Sequence, residues 1–298
     1  MLKSFALNPS RPFGAGMPAA LALTAVVGVL VVAPLIRILL ATLTPEGLDA
    51  WLAVLMSPLS PNLWWRPLLN TMLLGLGVAA TCLLLGGFLA WLNVLTDVPG
   101  RRLLGLLSTL PFMIPSFAAA LAWGTLFRNA RLGGSLGFFE ANGFVIPDWL
   151  AWGLIPTWLV LAAHYYSLAY TLIAAALSSV GADLVESAQM AGARRARILF
   201  GIILPVVTPA LVAAASLTFA GAVANFAAPA LLGLPVRMQT LSTRLFGMIE
   251  IGQNERGFVL ALLLIAVSAA FLWFGDRLVS GRRAFVTVTG KGGRTKRF

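Results

Sequence analysis

Charge is scarce in this chain of 298 residues: Asp, Glu, Lys and Arg make up 10% of it, and only ten of those side chains are acidic. There is one cysteine, Cys82, and one histidine, His164. A single thiol excludes a disulfide framework or a thiolate metal site within the chain, and Cys82 reads as a small buried apolar side chain. No second imidazole exists to join His164, which stands beside Tyr165 and Tyr166 and reads as a packed interior group rather than a metal ligand. The acids fall in expected loops or at helix ends. Nothing at depth supplies the paired carboxylates or Ser/His/Asp set of a membrane enzyme, nor the buried acids of a proton- or sodium-coupled carrier.

What the chain has in quantity is hydrocarbon. Apolar residues make up 59% of it and the mean hydropathy is +0.92, far outside the range of a soluble domain of this length. A membrane-crossing helix needs about 20 mainly apolar residues. Six such runs are expected, at about Met17–Leu43, Leu68–Leu95, Leu103–Phe127, Leu150–Leu177, Val206–Leu232 and Gly257–Val279. "TDVPGRR" closes the second with a turn. The opening "MLKSFALNPSRPFGAGM" has no small-residue cleavage pattern after a short apolar core, so the first run is read as a retained helix. The expected fold is all-α and polytopic, with segment 1–16 cytoplasmic, a six-helix domain over 17–279, and a basic tail or linker over 280–298.

Orientation follows from where Lys and Arg fall in short loops. With both termini cytoplasmic, fourteen cations lie inside: Lys3, Arg11, Arg101, Arg102, Arg194, Arg195, Arg197, Arg277, Arg282, Arg283, Lys291, Arg294, Lys296 and Arg297. Six lie outside (Arg66, Arg128, Arg131, Arg237, Arg244 and Arg256), matched by six acids, and Arg37 can snorkel from the outer end of the first helix. The net charge of +11 is thereby almost wholly cytoplasmic, and it reads as topology and not as nucleic-acid binding.

One cytoplasmic stretch, "ESAQMAGARRARILFGIILP" from Glu186 to Pro205, is polar between two greasy runs. "ADLVESAQMA" contains good helix formers, and Asp183 near its start suits the positive helix end. Leu184, Ala188 and Ala191 are expected to form a narrow apolar strip. Gly192 tolerates positive φ and allows a sharp turn into "ARRARILF", and Pro205 and Pro209 mark the beginning of the fifth membrane helix. A unit this small cannot bury its own apolar strip, so it needs a partner surface.

Here the chain resembles the membrane subunits of binding-protein-dependent ABC importers of the type I fold. Their cytoplasmic signature is Glu-Ala-Ala, three residues, Gly, nine residues, Ile, one residue, Leu-Pro. Glu186, Ser187, Ala188, Gly192, Ile202, Leu204 and Pro205 stand at those offsets, with Ser187 the single departure. The resemblance implies that the loop 183–205 is a coupling helix docking on a separate ABC ATPase, with Glu186 engaging that partner or capping the turn and Gly192 setting the bend. It implies two copies of the ATPase, a second permease half (identical, homologous or fused), and a periplasmic or lipid-anchored substrate-binding protein, all at a bacterial inner membrane. The Arg194, Arg195 and Arg197 cluster is equally well explained by lipid phosphates. "LLNTMLLGLG" and "TLPFMIPSFAAALAW" resemble the second and third helices of these subunits generally, while "NFAAPALLGLPVRMQTLSTRLF" and the tail "RRAFVTVTGKGG" resemble the subgroup carrying ferric iron and related small substrates, which makes ferric iron the expected substrate. Aminophosphonate, polyamine, thiamine and oxyanion permeases of the same family are the alternatives.

"TGKGG" is not a P-loop, because the magnesium-binding hydroxyl and the upstream glycine are both missing. No cofactor is therefore expected in this chain, and ATP and Mg belong to the partner ATPase. Along the translocation path the candidate polar groups are Asn70, His164 and Asn225, with Asn93, Ser216 and Thr218 also in or beside the runs. Hydrogen bonding between helices is the ordinary role for each. An ion-coupled secondary transporter is the rival reading, weakened by the missing buried acids and by the lack of an obvious internal repeat.

Overall fold

The computed structural model describes residues 17–280, without the side chains of Met17, Ala19, Ala182, Asp183, Leu184 and Ser280. The expected segment 1–16, the tail from 281 onward, and the roles given to the Asp183 carboxylate and to Leu184 lie outside the described residues.

The first apolar run forms α1, Met17–Ala41, whose apolar side chains are almost all exposed along its length. A tight turn leads to α2, Pro45–Leu55, a short helix capped by the Thr44 side chain, which accepts from the Gly47 amide at 3.1 Å. The second run is α3, Arg66–Leu95, entered through a π turn over Pro61–Trp65. A proline amide cannot donate, and its ring collides with the carbonyl four residues back. The Arg66 amide reaches five residues back to the Pro61 carbonyl, immediately before Pro67, so the helix widens where the proline must be accommodated.

The third run departs from expectation. It was expected as one straight crossing over Leu103–Phe127, but it consists of α4, Arg101–Thr109, a 3-10 turn over Leu110–Met113, and α5, Ser116–Phe127, with the two arms bent by 96°. Ile114 precedes Pro115, which forces it out of the helical region, and its ψ is 121°. Among the described residues five helices are long and apolar enough to cross a membrane, and six if the bent pair counts as one.

Beyond α5 the Gly- and Asn-containing stretch is organised, with short helices α6, Phe138–Ala141, and α7, Asp148–Ala151. Asn129 is buried at its centre, donating to Asp148 Oδ1 (2.7 Å) and the Ile146 carbonyl (3.1 Å) and accepting from Trp152 Nε1 (3.0 Å). Arg131 closes the same knot through an ion pair with Asp148 at 2.7 Å.

The fourth run is α8, Leu154–Ser178, followed by α9, Ala182–Met190, and α10, Arg195–Ile198. A second π turn, Leu199–Ile203, joins α10 to α11, Leu204–Ala224, and repeats the first device: the Leu204 amide bonds the Leu199 carbonyl just before Pro205. The fifth run was expected to continue to Leu232, yet α11 ends at Ala224. Asn225 turns extended (ψ 126°) and its side chain accepts from the Ala228 amide at 3.1 Å, which starts the separate helix α12, Ala227–Leu232. Then come α13, Leu241–Glu250, and α14, Asn254–Ser280.

The bundle is centred on α3, α8 and α11, which pack on one another more extensively than any other set. Gly86 lets α3 and α8 meet: a Cβ there would stand 2.8 Å from both the Tyr166 carbonyl oxygen and the Tyr170 nitrogen. Small residues at a helix crossing gain dispersion where lipid offers no hydrophobic drive. A second core joins α2, α13 and α14 around Val54, Leu241 and Leu260, and Phe219 of α11 stacks on Phe271 of α14 at 3.8 Å.

Candidate coupling and pathway sites

Glu186 to Pro205 forms an elbow. α9 stops because Gly192 takes the left-handed conformation, φ +77°. The Gly192 amide then bonds the Gln189 carbonyl (2.9 Å) and the Ala193 amide reaches back to the Ala188 carbonyl (3.0 Å). Those two bonds make a Schellman cap, which satisfies carbonyls that the helix end would otherwise leave open. Ala188 and Ala193 both pack against the main core, so the cap carries its usual apolar contact.

One face of the elbow is fixed to the bundle. Val185 (3% exposed), Ile198 (0%) and Ile203 (1%) are buried in the same core as Leu95, Leu177 and Val180. Of the strip expected from the sequence, Ala188 is partly buried and Ala191 is exposed, and among the described α9 side chains Val185 is the buried one. The other face carries Glu186, Ser187, Met190 and Gly192, all exposed, with Met190 at 84%. Ile202 is half-buried against the core, while Leu204 and Pro205 are exposed at the start of α11. From Arg195 to Ala224 the chain is one uninterrupted 30-residue helix, about 45 Å long at the usual rise.

The three pathway candidates divide. Asn225 Nδ2 donates to Ser116 Oγ (2.9 Å), and its backbone carbonyl accepts from Ser242 Oγ (2.9 Å). Asn70 Nδ2 donates to the Gln239 carbonyl (2.8 Å), and the neighbouring Thr71 hydroxyl accepts from the Leu241 amide (2.9 Å). With the contact between the Thr240 and Ser242 hydroxyls (2.9 Å), these bonds form a polar belt from α3 through the start of α13 to Asn225 and α5. His164 stands apart, its ring stacked on Phe112 (5.3 Å) beside the break in the third run, with Nδ1 buried and unpartnered. Ser116 was not anticipated as the partner of Asn225, and a separation of 109 residues left no local signal. Among the described residues no group of three or more His, Cys, Asp or Glu could hold a metal ion.

Taken together, a nearly all-helical bundle with several membrane-length spans and a capped elbow at one end describes a polytopic helical membrane protein. Its family is shown by sequence: the chain belongs to the binding-protein-dependent transport system inner membrane components, whose model matches residues 82–284. It is similar to the sulfate transport system permease CysT of Escherichia coli (27% identical, 63% of this chain and 65% of the relative) and to the molybdenum transport system permease ModB of the same organism (28%, 63% and 80%). The galactooligosaccharide transport system permease GanQ of Bacillus subtilis is 30% identical over 72% of this chain and 71% of its own. The aligned regions thus cover about two thirds to four fifths of those relatives. In fold, the chain matches a membrane subunit in the crystal structure of a bacterial alginate ABC transporter complexed with a pentasaccharide-bound periplasmic protein, with TM-score 0.69 and 17% identity over 92% of this chain and 96% of that one. The MetNI methionine ABC transporter matches with TM-score 0.60, 18% identity, 76% and 99%.

Proposed function

We propose that this chain forms half of the translocation pathway of an ATP-driven importer and receives the strokes of a separate ATPase through the elbow. The observation that carries this reading is the elbow itself. It is capped at Gly192, held to the core through Val185 and Ile198, exposed to solvent on its outer face, and continuous with a helix of membrane-spanning length. An element built this way transmits force without bending at its root. In this scheme two ATPases close on ATP and Mg, draw the docked elbows together and rock the two permease halves, so that a path opens to one side at a time. In this reading the elbow faces the cytoplasm, which the arginine distribution supports, and a binding protein delivers substrate from the opposite side.

For the substrate we favour a small oxyanion. Relatives named for sulfate and molybdenum transport support that class, and so do three arginines lining a cavity far from the elbow. Ferric iron, expected from the sequence, gains no support from these relatives. The test is uptake in reconstituted vesicles. The chain alone is expected to move nothing, whereas adding its second half, the ATPase and the binding protein gives ATP-dependent sulfate or molybdate uptake. Uptake driven by an ion gradient without those partners refutes the reading.

A further inference from the structure

We infer that the arginine-lined cavity at the end of α3 away from the elbow is a binding site for a tetrahedral oxyanion: Arg66, Arg237 and Arg244 hold the anion before it enters the bundle. The inference deepens the oxyanion reading above and rests on it for the identity of the ligand. The cavity measures about 410 Å³ and is lined by Asn62, Arg66, Pro67, Asn70, Arg237, Gln239 and Arg244. Three cations and three amide side chains share that wall, and no carboxylate does. Among the described residues no carboxylate is ion-paired with Arg66, Arg237 or Arg244. Arg66 and Arg237 are exposed and Arg244 is partly buried, so water screens part of their mutual repulsion, and an anion between them would remove the rest.

Two independent features direct these groups to a ligand. Arg244 is partly buried. Its Nη1 donates to Gln239 Oε1 at 3.2 Å, while Nε is buried without any partner, a donor left open on one edge of a planar fork. Guanidinium presents parallel N–H pairs that match the oxygens of sulfate, molybdate or phosphonate. Arg237 is the single non-glycine residue with positive φ among the described residues, at φ 60°. It ends the 3-10 turn Leu234–Val236, where glycine is the unstrained choice. A strained backbone that places a charged side chain on a cavity wall is a feature of binding sites.

The loop is also held in register for the task. Asn70 fixes the Gln239 carbonyl, Thr71 fixes the Leu241 amide, and Thr240 and Thr243 form a reciprocal capping box at the start of α13. Arg66 and Asn70 are four residues apart on one face of α3 and Arg244 lies within α13, so two helices and one pinned loop converge on the anion. Space for roughly a dozen waters means the site takes its ligand partly hydrated, as a waiting position and not a tight sink.

The test uses the full chain in nanodiscs, with sodium sulfate and sodium molybdate as probes against sodium chloride at matched ionic strength. Sulfate or molybdate is expected to raise the melting temperature of the wild type, and Arg244→Gln and Arg66→Gln each weaken the apparent affinity roughly tenfold or more. Arg237→Gly separates binding from structure. It is expected to melt higher than the wild type in chloride, because the strain is relieved, and to lose the oxyanion-dependent shift. Equal shifts in the wild type and all three variants overturn the site. No oxyanion shift in the wild type, with the variants instead losing attachment of the binding protein, also overturns it and gives the arginines a protein carboxylate as ligand. Transport separates the two proposals: oxyanion uptake by the assembled wild-type importer that survives Arg66→Gln/Arg237→Gly/Arg244→Gln refutes the site alone, and wild-type uptake of only uncharged sugars refutes the substrate reading.

Discussion

At the scale of single residues, Gly192 and Asn225 do different jobs. A Cβ at Gly192 would meet nothing within 4 Å, so replacement there costs only backbone strain, of the order of 1–2 kcal/mol for a β-branched residue. The open space is where an ATPase would sit. Gly192→Asp is therefore expected to insert and fold normally while losing ATPase copurification and stimulated hydrolysis, since aspartate tolerates positive φ better than most side chains but intrudes on the dock. Normal copurification and uptake by that variant would remove the elbow from the coupling scheme. Asn225 is committed to the fold. Asn225→Ala leaves the Ser116 hydroxyl and the Ala228 amide short of a partner, and a loss of about 1–3 kcal/mol is expected, read as a lower melting temperature in detergent. Much at this scale was legible in the sequence. Gly192 was recognisable as the turn because few residues accept its φ, whereas the Arg66, Arg237 and Arg244 cluster was not, because residues some 170 positions apart are joined only by tertiary packing.

At the scale of elements, apolar run length matches the positions of the long helices and misses their shape. Ile114–Pro115 and Asn225 interrupt runs that remain hydrophobic on both sides, so hydropathy passes over breaks that backbone chemistry makes. The crossing of α3 and α8 depends on Gly86, where added bulk meets backbone atoms that cannot move aside. Gly86→Val is expected to destabilise the bundle strongly, by 3 kcal/mol or more on the scale of severe overpacking (~1–3 kcal/mol, occasionally larger), with poor recovery of monodisperse protein. Gly124→Ala, on α5 where nothing lies within 4 Å, should be neutral by the same chromatography.

At the scale of the whole molecule, the Asn129 knot and the elbow stand at opposite ends of α8, and the positive-inside rule predicts that the elbow end is cytoplasmic. Cys82 is fully buried, so the native thiol gives little background to labelling. Met190→Cys and Val145→Cys replace side chains that are 84% and 93% exposed. A membrane-impermeant maleimide is expected to reach the first only in inside-out vesicles and the second only in right-side-out ones. Labelling of both from one side would overturn the topology. α1 lies against α14 with its apolar surface bare, which is the form expected of a helix that faces lipid or a second permease half.

The widened turn before Pro205 also fixes the compass bearing of the elbow. Each helical residue advances the azimuth by about 100°, so the extra residue held between Leu199 and Ile203 sets which way α9 points around the axis of α11. Excising Gly201 would leave that bearing nearly as it is, because a π turn absorbs one residue, but Pro205→Ala alone lets an ordinary helix take the extra residue at its full rotation and swings the bearing by about a quarter-turn. The bundle would stay whole while its handle pointed away from the motor.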